Sequence, residues 1–145
     1  MEAKKGKFRP INPHKYKGNP TNIIYRSGLE LKVMLRFDTD PQILEWSSEE
    51  IIVPYRCKTD NRLHKYYPDF VVKMKTKDGI KTFMVEVKPY VQTIPPKKGK
   101  KKQRTYINEV MTYAKNVSKW QFAEEYCAKR GWEFLKLTEK DILNG

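Results

Sequence analysis

Residues 65–88 read KYYPDFVVKMKTKDGIKTFMVEVK and carry the clearest secondary-structure pattern of the chain. Aromatic and β-branched residues are frequent in both halves. From Ile80 to Lys88 apolar and polar side chains alternate with the period of a β-strand. Asp78-Gly79, between the halves, is a typical two-residue hairpin turn. The stretch therefore predicts a β-hairpin with strands over 65–75 and 80–88.

The turn also predicts which side chains meet across the hairpin. A two-residue Asp78-Gly79 loop places Asp69 opposite Lys88, and Glu86 shares their face because side chains alternate. Two carboxylates can hold Mg²⁺, and a nearby ammonium can orient or deprotonate a water that attacks a phosphodiester. The same residues also fit an ordinary cross-strand salt bridge on a half-exposed sheet.

Helical and strand-like segments flank the hairpin on both sides. Ser27 is a candidate N-cap, Gly131 a candidate helix stop, and Thr138 a candidate cap for a last short turn. The predicted helices cover 28–37, 105–116 and 118–130, and the further predicted strands cover 43–46, 51–55 and 132–137. This order predicts a mixed α/β sheet with helices packed against it.

The formal charge of +13 is concentrated in two segments of this 145-residue chain. Residues 1–22, rich in lysine and interrupted by prolines, are predicted to be an extended basic arm before a single domain over 23–145. Residues 89–104 are predicted to be a flexible lysine-rich loop. The candidate DNA-binding residues of these segments are Lys4, Lys5, Lys7, Arg9, Lys97, Lys98, Lys100, Lys101, Lys102 and Arg104. Such charge suits a phosphate backbone, although solvation or an RNA, membrane or acidic-protein partner would also fit it.

Several classes of protein are disfavoured by the composition. Cys57 and Cys127 make no disulfide framework, and we expect a reducing cytoplasm rather than secretion. No apolar run approaches the ~18 residues of a membrane span. His14 and His64 stand alone in the sequence without Cys/His spacing, so we expect no structural zinc site.

A short motif points to a known superfamily. Pro68-Asp69, followed on the next strand by Glu86-Val87-Lys88, resembles the PD-(D/E)xK motif of the restriction-endonuclease-like superfamily, and the predicted elements match its αβββαβ core in order. Most of the chain also resembles the head completion nucleases of T-even-like tailed phages, whose domain is similar to the TnsA transposase endonuclease. The segments that carry this resemblance are 8–10, 12–16, 18–20, 25–27, Glu30, 46–50, 67–70, 86–89, 120–121 and 131–134.

The resemblance implies a Mg²⁺- or Mn²⁺-dependent endodeoxyribonuclease and assigns a role to each matching residue. Asp69, Glu86 and the backbone carbonyl of Val87 would bind the metal, and Lys88 would be the catalytic lysine. Glu30 would be the helix carboxylate of the family and a possible further ligand. All of these residue types are present in the chain.

Many relatives carry one more polar group on the second long helix, and Gln121 is the candidate here. Ser118-x-x-Gln121 also fits a capping box, which we favour for Gln121. Lys119 is a weaker alternative.

The implied setting is virion assembly. DNA would be the substrate, phage portal or neck proteins would be partners, and the protein would act in the host cytoplasm, with incorporation into the virion head as a further option.

No segment suits the recognition of base edges, so low sequence specificity is expected. The main alternative is a structural, portal-binding assembly factor on the same fold. A weaker one is a non-catalytic nucleic-acid-binding module.

Overall fold

The computed structural model describes residues 5–143. The strands are β1 (Gly6–Phe8), β2 (Ile23–Tyr25), β3 (Ile43–Ser48), β4 (Val53–Arg56), β5 (Leu63–Tyr66), β6 (Phe70–Thr76), β7 (Gly79–Val87) and β8 (Glu133–Leu137). The helices are α1 (Gly28–Thr39), α2 (Gln103–Arg130) and α3 (Glu139–Leu143), with 3-10 turns at Pro13–Lys15 and Tyr90–Thr93. None of the helices within 5–143 is long and apolar enough to cross a bilayer.

The central sheet has the strand order β3-β6-β7-β8. The first two pairings are antiparallel, whereas β7 and β8 are parallel. Together α1, β3, β6, β7, α2 and β8 give the order αβββαβ, so the predicted mixed α/β class is confirmed. The β1–β2 and β4–β5 pairs form separate two-stranded sheets.

Each face of the central sheet is covered by a different apolar cluster. Phe70 and Val85 belong to a cluster that includes buried side chains of α1 and of the N-terminal segment. Met84, on the opposite face, packs with buried residues of β4, β5 and α2. Burial of these side chains is the main force that holds the helices on the sheet. Both faces are thereby closed, and polar groups can gather at the end of the sheet where the clusters stop.

The hairpin forms, but its register differs by two residues from the prediction. Gly79 pairs with Thr76, and Ile80 with Lys75 rather than Lys77. The loop is therefore Lys77-Asp78, and Gly79 takes the positive φ of 110° that suits a residue without a side chain. A shift of two residues keeps every side chain on its face.

The Thr76 hydroxyl stabilises this turn. It donates to the carbonyl of Gly79 at 2.7 Å and accepts from the backbone N–H of Asp78 at 3.2 Å. These side-chain bonds were not visible in the Asp-Gly pattern, and they explain why the loop begins one residue earlier than predicted.

The strand predicted over 65–75 is divided into β5 and β6, which lie in different sheets. Pro68 causes the division because it has no N–H for a ladder and restrains the backbone of the residue before it. The strand predicted over 51–55 is observed as β4, two residues further on, where it pairs with β5.

Helix α2 is continuous, whereas two helices were predicted over 105–116 and 118–130. Ser118 begins no new helix: its hydroxyl donates to the carbonyl of Ala114 at 3.2 Å and accepts from the backbone N–H of Lys58 at 3.4 Å. The capping box predicted for Ser118 and Gln121 is therefore wrong. Gly131 ends the helix in the left-handed conformation, as predicted.

The described part of the predicted basic arm, residues 5–22, packs against the domain instead of extending away from it. Phe8 and Tyr16 are buried, and their rings meet Trp46 edge-on with centroids 5.8 and 4.7 Å away. β1 also pairs with β2. Aromatic burial of this kind outweighs the repulsion among neighbouring lysines.

Asp38 ties the same segment to α1. Its buried carboxylate accepts the backbone N–H groups of Ile11 and Asn12 at 2.7 and 3.0 Å. The Lys15 ammonium in turn donates to the carbonyl of Asp38 at 3.0 Å. The expectation of an extended arm is thus corrected for residues 5–22, while Lys4 lies outside the described residues.

Candidate active site

Two carboxylates meet at the end of the central sheet. The observed register places Asp69, just before β6, opposite Glu86 on β7 rather than opposite Lys88. Asp69 Oδ2 accepts the backbone N–H of Val87 at 2.8 Å. Glu86 is only 4% exposed, because β7 lies between two other strands and under α2. The strand pairing thus fixes both acids side by side.

The proximity of these acids changes the protonation of Asp69. Burial, and then the charge of Glu86, raise the pKa of Asp69 from 3.8 to about 9, although the N–H of Val87 opposes the shift. The charge of Glu86 disfavours the charged form of Asp69 in a poorly solvated place. A cation between them would remove this repulsion, so the pair fits a divalent metal ion better than a simple surface salt bridge.

Trp120 on α2 holds one oxygen of Glu86. Its indole N–H donates to Glu86 Oε2 at 3.4 Å. Lys136, which pairs in register with Glu86 on β8, places its ammonium 4.4 Å from the centre of the Trp120 ring. Neither role was predicted from the sequence, because no sequence signal shows how α2 docks on β7.

Tyr66 closes the buried side of the site. It is 4% exposed, and its hydroxyl has no hydrogen-bond partner within residues 5–143. Burial, followed by the charges of Glu86 and Asp69, raises the pKa of Tyr66 strongly. A neutral phenol with a free O–H can donate to a ligand or water beside the acids. Tyr67, the next residue, points outward and is 48% exposed.

Glu30 approaches from α1. Ser27 caps this helix as predicted, accepting the N–H of Glu30 at 3.1 Å. The Glu30 carboxylate accepts the N–H of Arg26 at 3.4 Å. Burial raises the pKa of Glu30, and the charges of Glu49 and Glu86 act in the same direction. Glu30 is therefore part of the acidic group and also helps to begin the helix.

Arg26 and Glu49 form the rim beside Glu30. The Arg26 guanidinium donates two hydrogen bonds to Glu49, at 3.0 and 3.1 Å, which also raise the pKa of Arg26. Bidentate pairs of this type have a fixed orientation. These two residues were not predicted from the sequence to take part in the site.

Lys88 follows directly after β7. Its backbone N–H donates to the carbonyl of Leu137 on β8 at 3.0 Å, and its side chain is half-buried. Within the part of the chain that the structure describes, its ammonium makes no hydrogen bond or ion pair. The cross-strand salt bridge considered for Asp69 and Lys88 is therefore absent there, and the ammonium remains available.

A model of the TnsA-like endonuclease N-terminal domain matches residues 40–139. The chain belongs to the TnsA-like endonuclease family. The head completion nuclease of Enterobacteria phage T4 is 36% identical over 144 residues, which cover 97% of this chain and 94% of that protein. The resemblance stated from the motifs is thus confirmed.

The family match places the hairpin and α2 of this TnsA-like chain inside the matched domain. Asp69, Glu86 and Lys88 all lie within residues 40–139, whereas Glu30 on α1 precedes them. Gln121 lies within the match but is exposed, and it makes no side-chain hydrogen bond among residues 5–143. The structure thus brings Glu30 to the acids and does not bring Gln121 into contact with them.

The candidate DNA-binding residues of this TnsA-like chain lie on its surface. Within the described part of the chain they are all exposed: Lys5, Lys7, Arg9, Lys97, Lys98, Lys100, Lys101, Lys102 and Arg104. Lys101 pairs with Glu109 at 2.9 Å, and Lys98 donates to the carbonyl of Lys101 at 3.2 Å. The remaining lysines of this loop make no ion pair with residues 5–143.

Proposed function

We propose that this TnsA-like chain is a Mg²⁺-dependent endodeoxyribonuclease of low sequence specificity, with Mn²⁺ as an alternative metal. The observation that carries the proposal is the pairing of Asp69 with Glu86 two residues before Lys88, whose ammonium has no ion-pair partner within residues 5–143. Hydrolysis of a phosphodiester needs negative charge to hold a metal and positive charge to stabilise the phosphorane, and these residues supply both.

Asp69, Glu86 and the carbonyl of Val87 would hold the metal, with Glu30 as a further ligand. Hard oxygen donors are the ligands that Mg²⁺ prefers. The raised pKa of Asp69 supports this assignment, because its cause is burial next to another carboxylate. When bound, the ion would polarise a phosphate oxygen and lower the pKa of a coordinated water.

The side chains around the acids would orient the water, the phosphate and Glu86. The Lys88 ammonium would orient the attacking water and stabilise the charge that grows on the phosphate. The Trp120 N–H would keep Glu86 in one orientation, because its other contacts fix the ring. The Tyr66 hydroxyl would donate to the bound phosphate or water.

The lysine-rich loop would provide affinity without sequence preference. Its exposed lysines can track a phosphate backbone, and contacts to phosphates carry no sequence information. Lys5, Lys7 and Arg9 would extend the same surface. Binding is then expected to weaken steeply as salt is added.

The stage of action follows from the relative's name. Because the T4 relative is a head completion nuclease, we infer that this chain acts on DNA during completion of phage heads. It would work in the host cytoplasm next to portal or neck proteins, and its incorporation into the virion is part of the same hypothesis.

The decisive experiment is cleavage of supercoiled plasmid with Mg²⁺, with Mn²⁺ and with EDTA. Lys88→Ala and Asp69→Asn should abolish metal-dependent cutting. Lys75→Ala is the matched control, since Lys75 is exposed at the far end of β6. Circular dichroism should show that all variants fold.

Two results would contradict the proposal. One is wild-type protein that leaves duplex and branched DNA intact with either metal. The other is cutting that persists in Lys88→Ala and Asp69→Asn, which would indicate a contaminant. In the first case, assembly of infectious heads by Asp69→Asn would support the structural assembly factor instead.

A further inference from the structure

We propose that Cys57, Asp60 and His64, at the tip of the β4–β5 hairpin, bind one Zn²⁺ ion. Their ligand atoms, the thiol sulfur, a carboxylate oxygen and a ring nitrogen, all lie within 4.8 Å of one another. Thiolate, carboxylate and imidazole are the three ligand types that Zn²⁺ takes in proteins. From the sequence no zinc site was expected, because His64 has no Cys/His spacing around it.

The hairpin register explains how the three side chains meet. Tyr55 pairs with His64, and the N–H of Cys57 bonds to the carbonyl of Arg62 at 3.0 Å. Cys57 and His64 are therefore diagonal neighbours on one face. Asp60 lies in the loop between them. Since only six residues separate Cys57 from His64, closing this loop around an ion costs little entropy.

The existing contacts prepare the ligands for a metal. Asp60 accepts the N–H of Arg62 at 2.9 Å through Oδ1, which leaves Oδ2 facing the ring of His64 at 2.7 Å. Tetrahedral Zn²⁺ holds its ligand atoms roughly 3–4 Å apart, so these two atoms need to separate by only about 1 Å. Thr59, 3.0 Å from the Cys57 sulfur, can support a thiolate by a hydrogen bond.

An ion can also reach this place. The side chains of Asp60 and His64 are each 40% exposed, although Cys57 is buried. Three protein ligands leave a fourth position for water, which the exposed side of the loop can supply. The ring of Tyr55 stacks on His64 with centroids 5.5 Å apart and limits its rotation.

A bound ion would restrain β5, the strand that leads to the active site. β5 ends at Tyr66, and Pro68 and Asp69 follow two and three residues later. Zinc at the hairpin tip would join β4 to β5 and fix the direction from which Tyr66 approaches the acids. The ion would thus have a structural role, separate from hydrolysis.

Co²⁺ is the probe for the experiment, because a thiolate ligand gives it a near-ultraviolet charge-transfer band and Zn²⁺ should displace it. The full-length protein, reduced and free of metal, would be titrated with Co²⁺. We expect one equivalent with a thiolate band. The band should disappear in Cys57→Ser, and His64→Gln should weaken binding at least about tenfold.

Matched variants separate this site from the others. Cys127→Ser, which removes the other buried thiol, and His14→Gln should keep the band. An Asp69→Asn/Glu86→Gln protein should also keep it, so the result does not depend on the nuclease proposal. Because His64 is partly exposed, His64→Gln should fold even if Cys57→Ser does not. Absence of a thiolate band in wild type, or full-strength binding in His64→Gln, would overturn the proposal.

Discussion

Replacing Asp69 by asparagine should make the metal-free protein more stable. The folded state raises the pKa of Asp69 from 3.8 to about 9, so the unfolded chain releases this proton first as the pH rises. Between these two values the folded protein holds more protons, and its free energy of unfolding falls with increasing pH. Asparagine does not ionise and escapes this penalty, while its side-chain oxygen can still accept the N–H of Val87.

The size of the effect follows from the same values. Each pH unit above 3.8 lowers the free energy of unfolding by about 1.4 kcal/mol, which gives an upper limit of about 4 kcal/mol for the loss near pH 7. Buried charges in proteins usually behave as if the dielectric constant were about 20, which weakens the penalty. We therefore expect Asp69→Asn to gain about 2 kcal/mol in its free energy of unfolding. For a domain of this size that corresponds to a rise in Tm of roughly 4–8 °C.

The assay is urea unfolding in EDTA at several pH values, followed by circular dichroism. Asp69→Asn should gain stability over wild type near pH 7, and the gain should vanish towards pH 4. Asp78→Asn is the control, because it removes the same charge from a side chain that is 82% exposed in the hairpin turn. It should change the free energy of unfolding by no more than about 0.5 kcal/mol.

A loss of stability in Asp69→Asn would contradict this prediction. If Asp69→Asn lowers the stability of the metal-free protein, Asp69 has a favourable charged partner, as in an ordinary salt bridge. A gain that does not depend on pH would also contradict us, because the penalty must follow the ionisation of the carboxyl group.

Three further predictions concern the support of the site and the DNA surface. Trp120→Phe removes the N–H that Glu86 accepts, and Mn²⁺ affinity measured by calorimetry should fall about tenfold; unchanged affinity would argue against this contact. Asp38→Ala leaves the N–H groups of residues 11 and 12 without their acceptor and should cost about 2–4 kcal/mol in urea unfolding; a loss below about 1 kcal/mol would show that the segment is held in other ways. Changing three loop lysines to glutamine should reduce the magnitude of the slope of log binding constant against log salt concentration by roughly 2–3 for duplex DNA. An unchanged slope would place the DNA elsewhere on the protein. These lysines are Lys98, Lys100 and Lys102.

The hairpin shows which features of the site can be predicted from sequence patterns and which cannot. Alternation along β7 correctly predicted that Asp69 and Glu86 lie on one face, because a two-residue shift of register preserves sides, and Lys88 follows directly after β7. The exact partner of Asp69 was wrong, since it depends on whether the loop begins at Lys77 or at Asp78. That choice is made by hydrogen bonds of the Thr76 hydroxyl, which no periodicity reveals.

The contacts that cross between elements were not predictable in the same way. Trp120 reaches Glu86 only because α2 continues straight through Ser118, whereas the Ser-x-x-Gln pattern favoured a helix start. In the N-terminal segment, lysine content suggested an extended arm, yet Phe8 and Tyr16 find a buried partner in Trp46. Local sequence patterns are compatible with more than one structure, and tertiary packing determines which of these structures forms.

The parallel pairing of β7 with β8 has a consequence for the timing of folding. The backbone N–H of Lys88 bonds to Leu137, and Glu86 lies in register with Lys136, so the central acid and the lysine are held by a strand about fifty positions later. Such distant pairing is slow to form and is made only after the ribosome has released residue 137. A nascent chain would therefore carry the acids without their final support until β8 has left the ribosome.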